Sequence, residues 1–448
     1  MTILLLDLAL IVGLARASGA LARRIGQPPV VGEILAGILL GPTLLGHQLP
    51  RTLFPPDVRP LLNVLAVVGV ATFMFLVGLE LDGRLLRGMA RLATSVTVGA
   101  MVLPLVLGAA LGCLLARGRP GGADAAFVMF MAVAMSVTAF PVLAHILTAR
   151  GLGRTTLGGI ALSSAAACDV LAWGLLAVVV AFATGDGFRV RTLLLVPYVL
   201  LMITVVRPLL RRWFTGRRAV GPDGPAKDVL VVALSGLLAS AAFTEWIGLH
   251  YIFGAFLLGA VMPRGSGDAL RVDLNRQLEP VSTHLLPVYF VLAGLSVDLS
   301  GMDARAVGNL LVIIVVAVSG KFLGAFAGAR LQGLDSRRAA VLGTLLNTRG
   351  LTELVILGIG RQLGLLDGAL YSSLVVMAVV TTALTGPALH WLCPASSSEL
   401  AMDGPAPLVP ASSSPARTDP PARTDPAART DPAAPPSRPA RSRQSAGS

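Results

Sequence analysis

Asp169 is the residue of this sequence best suited to bind a proton or a cation. It is the only charged residue in an apolar run from about residue 157 to 183, which is long enough to cross a lipid bilayer. A carboxylate at that depth costs about 2.5–3.5 kcal/mol to insert, so by default it marks a functional site. Small residues before it, such as Ser164, would let water or another backbone approach. The alternative is a neutral, protonated Asp169 packed against a neighbouring helix.

Two further apolar runs contain residues that interrupt a helix. One is Ser136-Val137-Thr138-Ala139-Phe140-Pro141, where a helix-breaking proline follows two hydroxyl side chains. The other is Leu346-Asn347-Thr348-Arg349-Gly350-Leu351-Thr352-Glu353, where polar and charged residues flank a glycine. Broken helices direct carbonyls and helix dipoles into a cavity, where they can coordinate a cation. Arg349 and Glu353 are four residues apart and can pair on one helix face, whereas the first run has the simpler alternative of a proline kink.

Lys321 lies at the centre of another apolar run. The chain has two lysines, the other being Lys227 in a loop, against 34 arginines. A desolvated lysine can give up its proton, and an arginine cannot. The sequence therefore favours Lys321 as a titratable or charge-balancing partner of Asp169. The alternative is a fixed structural cation held by carbonyl oxygens.

The composition predicts that these residues belong to an all-α polytopic membrane protein. Hydrophobic residues make up 54% of the chain and charged residues 13%, against about 25% charged residues in soluble domains. Apolar runs that can span a bilayer favour helices over a barrel. Three widely spaced cysteines, Cys113, Cys168 and Cys393, predict neither a disulfide framework nor a zinc site. The net charge of +12 arises mostly in short loops, where it sets topology, so a nucleic-acid partner is not expected. No cofactor is expected either.

The apolar pattern predicts thirteen transmembrane helices, and the loops give their orientation. Loops after odd-numbered spans hold most arginines, for example Arg84, Arg87 and Arg91, which predicts an external N-terminus and a cytoplasmic C-terminus in the plasma membrane. The predicted spans lie near 3–21, 30–46, 60–81, 92–116, 125–148, 155–185, 191–212, 227–246, 247–263, 280–298, 306–332, 337–363 and 369–393.

Two pairs of segments repeat within the chain. The pattern Ile25-Gly26, Gly32, Gly37 recurs as Ile247-Gly248, Gly254, Gly259, and the run at 78–82 resembles the run at 294–298. The copies are seven spans apart, which is an odd number, so they must have opposite orientations. Inverted-topology repeats are typical of secondary transporters whose binding site lies at the midplane.

The chain changes composition after the last span. Residues 395–448 are rich in Pro, Ala, Ser and Arg and contain three copies of Ala-Arg-Thr-Asp-Pro. Such a segment cannot bury a core, so a disordered cytoplasmic tail is expected. A solvated spacer is favoured over a regulatory segment whose six arginines bind the inner leaflet.

The motifs together resemble the monovalent cation:proton antiporter superfamily, specifically its second branch of bacterial sodium/hydrogen and potassium/hydrogen exchangers. The resemblance covers about residues 3–393 and rests on the runs at 24–33, 75–80, 138–141 and 347–354 together with Asp169, Trp173 and Lys321. It implies that residues 1–394 form an exchanger transmembrane domain that assembles as a homodimer. The dimer and gate helices of this domain would lie at about 3–81 and 227–298. Core helices at about 92–185 and 306–393 would contain two crossed, unwound helices. Glu33 is assigned to the dimer or domain interface.

The resemblance implies a secondary antiporter that works by alternating access and is not an enzyme. Asp169 would bind either H⁺ or Na⁺ or K⁺, with Thr138, Ser164 and Cys168 near the ion, while Lys321, Arg349 and Glu353 balance charge. Relatives have Asp or Asn immediately before the essential aspartate, whereas this chain has Cys168. This difference disfavours exchange of two protons per cation. The alternatives are a proton-coupled exporter of an organic ion on the same scaffold, and a channel or sensor, which Asp169 disfavours.

Overall fold

The structure is a computed structural model, and it describes residues 2–46, 48, 52–55, 57–80, 90–117, 124–152, 155–183, 194–216, 227–247, 250–263 and 269–392. Several sequence predictions fall outside these residues. They are the tail at 395–448, Cys393, the loop residues Arg84 and Arg87, and Asp82 and Gly248 of the repeated segments.

The described residues are almost entirely helical, as the composition predicts. Helical segments occupy the position of each of the thirteen predicted spans. The helices are α1 (Thr2–Arg24), α2 (Pro29–Leu40), α3 (Pro42–Leu45), α4 (Arg59–Glu80), α5 (Ala90–Ala116), α6 (Ala125–Ser136), α7 (Phe140–Ala149), α8 (Thr156–Ala183), α9 (Leu195–Leu201), α10 (Arg207–Gly216), α11 (Lys227–Trp246), α12 (Tyr251–Val261), α13 (Ala269–Leu295), α14 (Ala304–Leu331), α15 (Ser336–Leu346), α16 (Leu351–Gln362) and α17 (Gly368–Leu392). A π-helical turn, Met202–Val206, joins α9 to α10.

Length and hydropathy support a multi-span membrane protein. Within the described residues, nine helical stretches are long and apolar enough to cross a bilayer, and the bent pair α15 and α16 makes a tenth. Two shorter apolar stretches lie at Pro29–Leu45 and Tyr251–Val261. The count of thirteen spans stays a prediction, because only ten stretches of the described residues pass this test. The inverted repeat also stays a prediction.

Both predicted helix breaks are present. The first break is Val137–Ala139, between α6 and α7, and Pro141 falls in the first turn of α7, where a missing N–H costs no hydrogen bond. The second break lies between α15 and α16, whose axes differ by 46°. A simple proline kink is excluded at the first break, because its three residues are not helical.

The helices pack in two groups. In the first group, α4 and α13 contact each other, and α1, α2, α11 and α12 pack around them. In the second group, α5 packs against α14 and α6, while α8, α15 and α17 complete the bundle with the shorter α7 and α16. Asp169 and Lys321 lie in the second group, on α8 and α14.

Glycines allow the closest backbone contacts in both groups. An added Cβ on Gly99 of α5 would meet the backbone of Gly324 of α14, and an added Cβ on Gly324 would meet that of Gly99. Helices in a bilayer associate through such small-residue contacts because lipid provides no hydrophobic driving force between them. The α5–α14 pair therefore holds Lys321, three residues before Gly324, at a fixed position.

Candidate cation and proton site

Asp169 is buried on α8, with 2% of its surface exposed. Its Oδ2 atom accepts a long hydrogen bond, 3.4 Å, from the backbone N–H of Phe140, the first residue of α7. The N-terminus of a helix has unpaired N–H groups and a partial positive charge, so it attracts a carboxylate. Within the described residues, Oδ1 of Asp169 has no hydrogen-bond partner. One carboxylate oxygen is thus held by the broken helix, and the other has no partner among the described residues.

Buried side chains bind the carbonyls at the C-terminal end of α6. The last four carbonyls of a helix have no partner within the helix. Those of Val133, Ala134, Met135 and Ser136 accept hydrogen bonds from the Ser136 hydroxyl (2.8 Å), Arg349 Nη1 (2.9 Å), Arg349 Nη2 (2.7 Å) and Lys321 Nζ, respectively. Two cations therefore stand at the negative end of the α6 dipole. These donors satisfy the carbonyls that α6 leaves unpaired where it ends inside the bundle.

Lys321 is completely buried and is held by carbonyl groups. Its Nζ atom donates to the carbonyl of Ala100 on α5, at 3.1 Å, as well as to that of Ser136. Among the described side chains, Lys321 and Asp169 form no ion pair within 4.0 Å. These carbonyl contacts are what a fixed structural cation requires.

Arg349 and Glu353 form the ion pair that their spacing permits. Nη1 of Arg349 lies 2.6 Å from Oε2 of Glu353, and both side chains are fully buried. The backbone N–H of Arg349 donates to the hydroxyl of Thr382 on α17, and that hydroxyl donates to the Arg349 carbonyl. Thr382 was not among the predicted site residues. Its signal in the sequence is only a pair of threonines, Thr381 and Thr382, in an apolar helix.

The two helix breaks lie against each other. The backbone N–H of Ala139 donates to the carbonyl of Thr348 at 3.1 Å, and the Thr352 hydroxyl donates to the carbonyl of Thr138 at 3.1 Å. These bonds join residues more than 200 positions apart and satisfy backbone groups that the broken helices expose. The N-terminus of α7, which contacts Asp169, is thereby fixed relative to α16.

Thr138 and Cys168 lie together beside Asp169. The Cys168 thiol is fully buried and has Thr138, Asp169 and Lys321 as its polar neighbours. Apart from the Cys168 thiol beside it, the Thr138 hydroxyl has no hydrogen-bond partner among the described residues. Asn347, at the second break, also has a buried side-chain oxygen without a partner in the described part of the chain. These oxygens are chemically suited to bind a small cation.

Ser164 is not brought to Asp169. Its hydroxyl donates to the carbonyl of Ala93 on α5, at 3.2 Å. Five residues of helix rotate a side chain by about 140° away from the starting direction, so Ser164 and Asp169 point to different faces of α8. The structure gives Ser164 a hydrogen bond to α5, and its role as an ion ligand stays a prediction.

Glu33 lies on α2, away from the broken helices. It is half-buried against Gly19 of α1, and Arg16 and Arg23 are its nearest charges. All three residues belong to the first helix group. The described residues contain no cluster of three or more His, Cys, Asp or Glu side chains that could hold a resident metal ion.

The chain is similar to known antiporters over most of its length. The profile of the family described as "Sodium/hydrogen exchanger, transmembrane" matches residues 8–394. The Na(+)/H(+) antiporter NhaS4 of Synechocystis sp. is 37% identical over 404 residues, covering 88% of this chain and 98% of the relative. The K(+)/H(+) antiporter 1 of Saccharomyces cerevisiae is 33% identical over 391 residues, which are 83% of this chain and 44% of that longer protein.

The fold is also that of a solved antiporter. The sodium proton antiporter MjNhaP1 of Methanocaldococcus jannaschii at pH 8 superimposes with a TM-score of 0.66 at 13% identity, covering 90% of this chain and 98% of that one. At that identity the match shows the fold alone. Together with the profile and the relatives, it confirms the predicted resemblance: this protein belongs to the sodium/hydrogen exchanger family within the monovalent cation:proton antiporters, and it is a multi-pass membrane transporter and not an enzyme.

Proposed function

We propose that the protein exchanges H⁺ for Na⁺ or K⁺ by alternating access and that both ions bind Asp169. The observation that carries the proposal is the buried Oδ1 atom of Asp169, which has no partner among the described residues. An unpaired ionised carboxylate is costly inside a bilayer. Binding of either a proton or a cation removes that cost, and the two ions compete for one group. Movement of the site only when Asp169 is neutralised then couples the two gradients.

Cation ligands in addition to Asp169 are available at the break between α6 and α7. The Thr138 hydroxyl is buried beside the Cys168 thiol, and apart from that thiol it has no partner in the described part of the chain. Backbone carbonyls of the unwound segment are the other candidates, since unwound carbonyls coordinate monovalent cations in transporters built this way. Asn347 joins this set as a ligand that the sequence did not suggest.

Lys321, Arg349 and Glu353 balance charge around this site. Arg349 is paired with Glu353, so it does not neutralise Asp169. Lys321 is held by carbonyls and makes no ion pair with Asp169. A Lys321 that stays charged throughout the cycle would give exchange of one proton for one cation, which is electroneutral.

The two helix groups support the predicted division into gate helices and a moving core. We assign the first group to the gate and to the interface of a homodimer, and the second group to a core that moves. Matching glycines support an inverted repeat: Gly37 of α2 packs on α13 beside Gly294, and Gly259 of α12 packs on α4 close to Gly78. Each contact therefore joins a segment of one repeat copy to a segment of the other copy, and the two contacts are equivalent under the repeat. Loop charge puts the N-terminus outside and the C-terminus in the cytoplasm of the plasma membrane.

The names of the relatives favour an inorganic monovalent cation. They include a Na(+)/H(+) antiporter, a K(+)/H(+) antiporter and, at 27% identity, the Na(+)/H(+)-K(+) antiporter GerN of Bacillus cereus. These names do not support the alternative of an organic-ion exporter. The exchange is therefore proposed for Na⁺, K⁺ or both.

Exchange in proteoliposomes tests the proposal. A pH-sensitive dye inside the vesicles reports proton movement when Na⁺, K⁺, Li⁺ or choline is added outside. Asp169→Asn should abolish the response to every cation and leave the protein folded, because it removes the group that both ions share. Asp7→Asn, a change of another buried acid that lies on α1 of the first group, is the matched control and should retain exchange. Wild-type rates from Asp169→Asn would refute the proposal.

A further inference from the structure

The C-terminal end of α13 is bound by side chains of the other helix group. Three hydrogen bonds cross from α16 and α17 to this end of α13. They run from Tyr371 to the carbonyl of Ala293 (3.4 Å), from Arg361 to the carbonyl of Ser296 (3.3 Å), and from the backbone N–H of Asp298 to the hydroxyl of Ser372 (3.0 Å). Residues of the second group thus hydrogen-bond to the C-terminal end of α13, which is a central helix of the first group.

These contacts act as a unit. The guanidinium of Arg361 lies over the ring of Tyr371, 5.0 Å from its centroid, which joins α16 to α17. Tyr371 is buried, with 3% of its surface exposed. Two of the three bonds bring donors of the second group to carbonyls at the end of α13, and in the third the Ser372 hydroxyl accepts from the Asp298 N–H. Separation of the two groups at this end would break all three bonds together.

Aromatic side chains extend the contact toward the site. Tyr289 of α13 has Tyr251 and Tyr371 as neighbours, and its hydroxyl lies next to Gly358 of α16. The chain has only four tyrosines, and three of them meet here, between α12 and α13 on one side and α16 and α17 on the other.

The opposite end has a weaker polar contact between the groups. Within the described residues it consists of the Gln27 side chain donating to the carbonyl of Ala383, at 3.1 Å. The arginine that lies nearby, Arg150, bonds to Gly386 of its own group. Loop charge assigns the α13 C-terminus to the outside and Gln27 to the cytoplasmic side. The path between the groups is therefore sealed more firmly on the outside.

We propose that Arg361, Tyr371 and Ser372 form an external latch that holds the transporter open to the cytoplasm and that must release in every cycle. They are positioning residues, because they set which side the ion site faces and do not touch the ion. The inference rests on the proposed alternating access. If the two groups move relative to each other, the latch is made in one facing state and absent in the other, so its loss shifts the equilibrium between them.

A cysteine crosslink tests whether the latch must open. Cysteines at Asp298 and Ser372 join the two groups, in a chain whose Cys113 and Cys393 are replaced by serine. Oxidation should reduce exchange at least tenfold, and a reducing agent should restore it. Continued transport by the crosslinked protein would overturn the proposal, as would failure of this pair to crosslink when the control pair does.

The control pair has the same local geometry inside one group. The Thr43 hydroxyl accepts from the backbone N–H of Leu299 at 3.2 Å, so cysteines at Thr43 and Leu299 lie at a comparable separation. Their crosslink should leave exchange unchanged, because both residues belong to the first group. If neither pair exchanges H⁺ for a cation even when reduced, the proposed function fails, and not the latch.

Substitution of Arg361 provides a second, independent measurement. Arg361→Gln should lower the KM for the external cation by about tenfold and raise the KM for the cytoplasmic cation, since a hydrogen bond to a charged group is lost from one state only. Arg361→Lys should lie close to wild type. The two KM values are measured in right-side-out and everted vesicles. A merely structural defect would change both in the same direction, and that result would contradict the latch.

Discussion

The buried pair of Arg349 and Glu353 gives the sharpest test of how the broken helices are held. Arg349 makes a 2.6 Å contact to Glu353 and also binds two carbonyls of α6, at 2.9 and 2.7 Å. Arg349→Met removes the charge and keeps much of the volume. It leaves a fully buried carboxylate without its cation, together with two carbonyls without donors.

The expected cost is large because both side chains are fully buried, where solvent cannot screen the loss. Removing one partner of such a pair typically costs about 3–5 kcal/mol. At roughly 2 °C per kcal/mol for a chain of this size, the apparent melting temperature should fall by about 6–10 °C. Adding Glu353→Leu to Arg349→Met removes the stranded charge. The double variant should therefore be more stable than Arg349→Met alone, by about 1–3 kcal/mol.

Thermal unfolding of the purified protein in nanodiscs, followed by tryptophan fluorescence, measures these differences. The control is Arg338→Met, which disrupts a partly exposed pair with Asp335 at 3.4 Å and should cost no more than about 1 kcal/mol. Equal stability of Arg349→Met and the control would refute the reasoning. So would a double variant that is less stable than Arg349→Met, because the stranded carboxylate would then not be the cause of the loss.

Three further predictions concern charge, packing and topology. Because Lys321 is held by carbonyls, exchange should be electroneutral. A membrane potential clamped with valinomycin and K⁺ should therefore leave the Na⁺-driven rate of exchange unchanged. A voltage dependence that disappears in Lys321→Gln would show instead that the lysine titrates. Gly324→Leu should prevent α14 from packing on α5 and abolish folded yield on size-exclusion chromatography, whereas Gly308→Leu on the same helix has open space and should be tolerated. An impermeant thiol reagent added outside should label a cysteine next to Arg117 and spare one next to Arg217, and the reverse pattern would invert the topology.

The charged residues of the candidate site could be predicted from the sequence, because a charge in an apolar segment is conspicuous. Asp169 and Lys321 are buried on α8 and α14, as their surroundings indicate. The pairing of Arg349 with Glu353 follows from their spacing on one helix face. Helix breaks at Val137–Ala139 and at Asn347–Gly350 are likewise local, since proline, glycine and polar side chains interrupt a helix wherever they occur in the chain.

The partners of these residues depended on the tertiary structure. Lys321 binds carbonyls 221 and 185 residues away, and Arg349 binds carbonyls about 215 residues away. A membrane helix is apolar on nearly every face, so its hydropathy does not reveal which face packs against which neighbour. For the same reason the sequence did not indicate that the Ser164 hydroxyl bonds to a carbonyl of α5. Backbone carbonyls have no signature in the sequence at all, and it was the fold that decided which of them these cations bind.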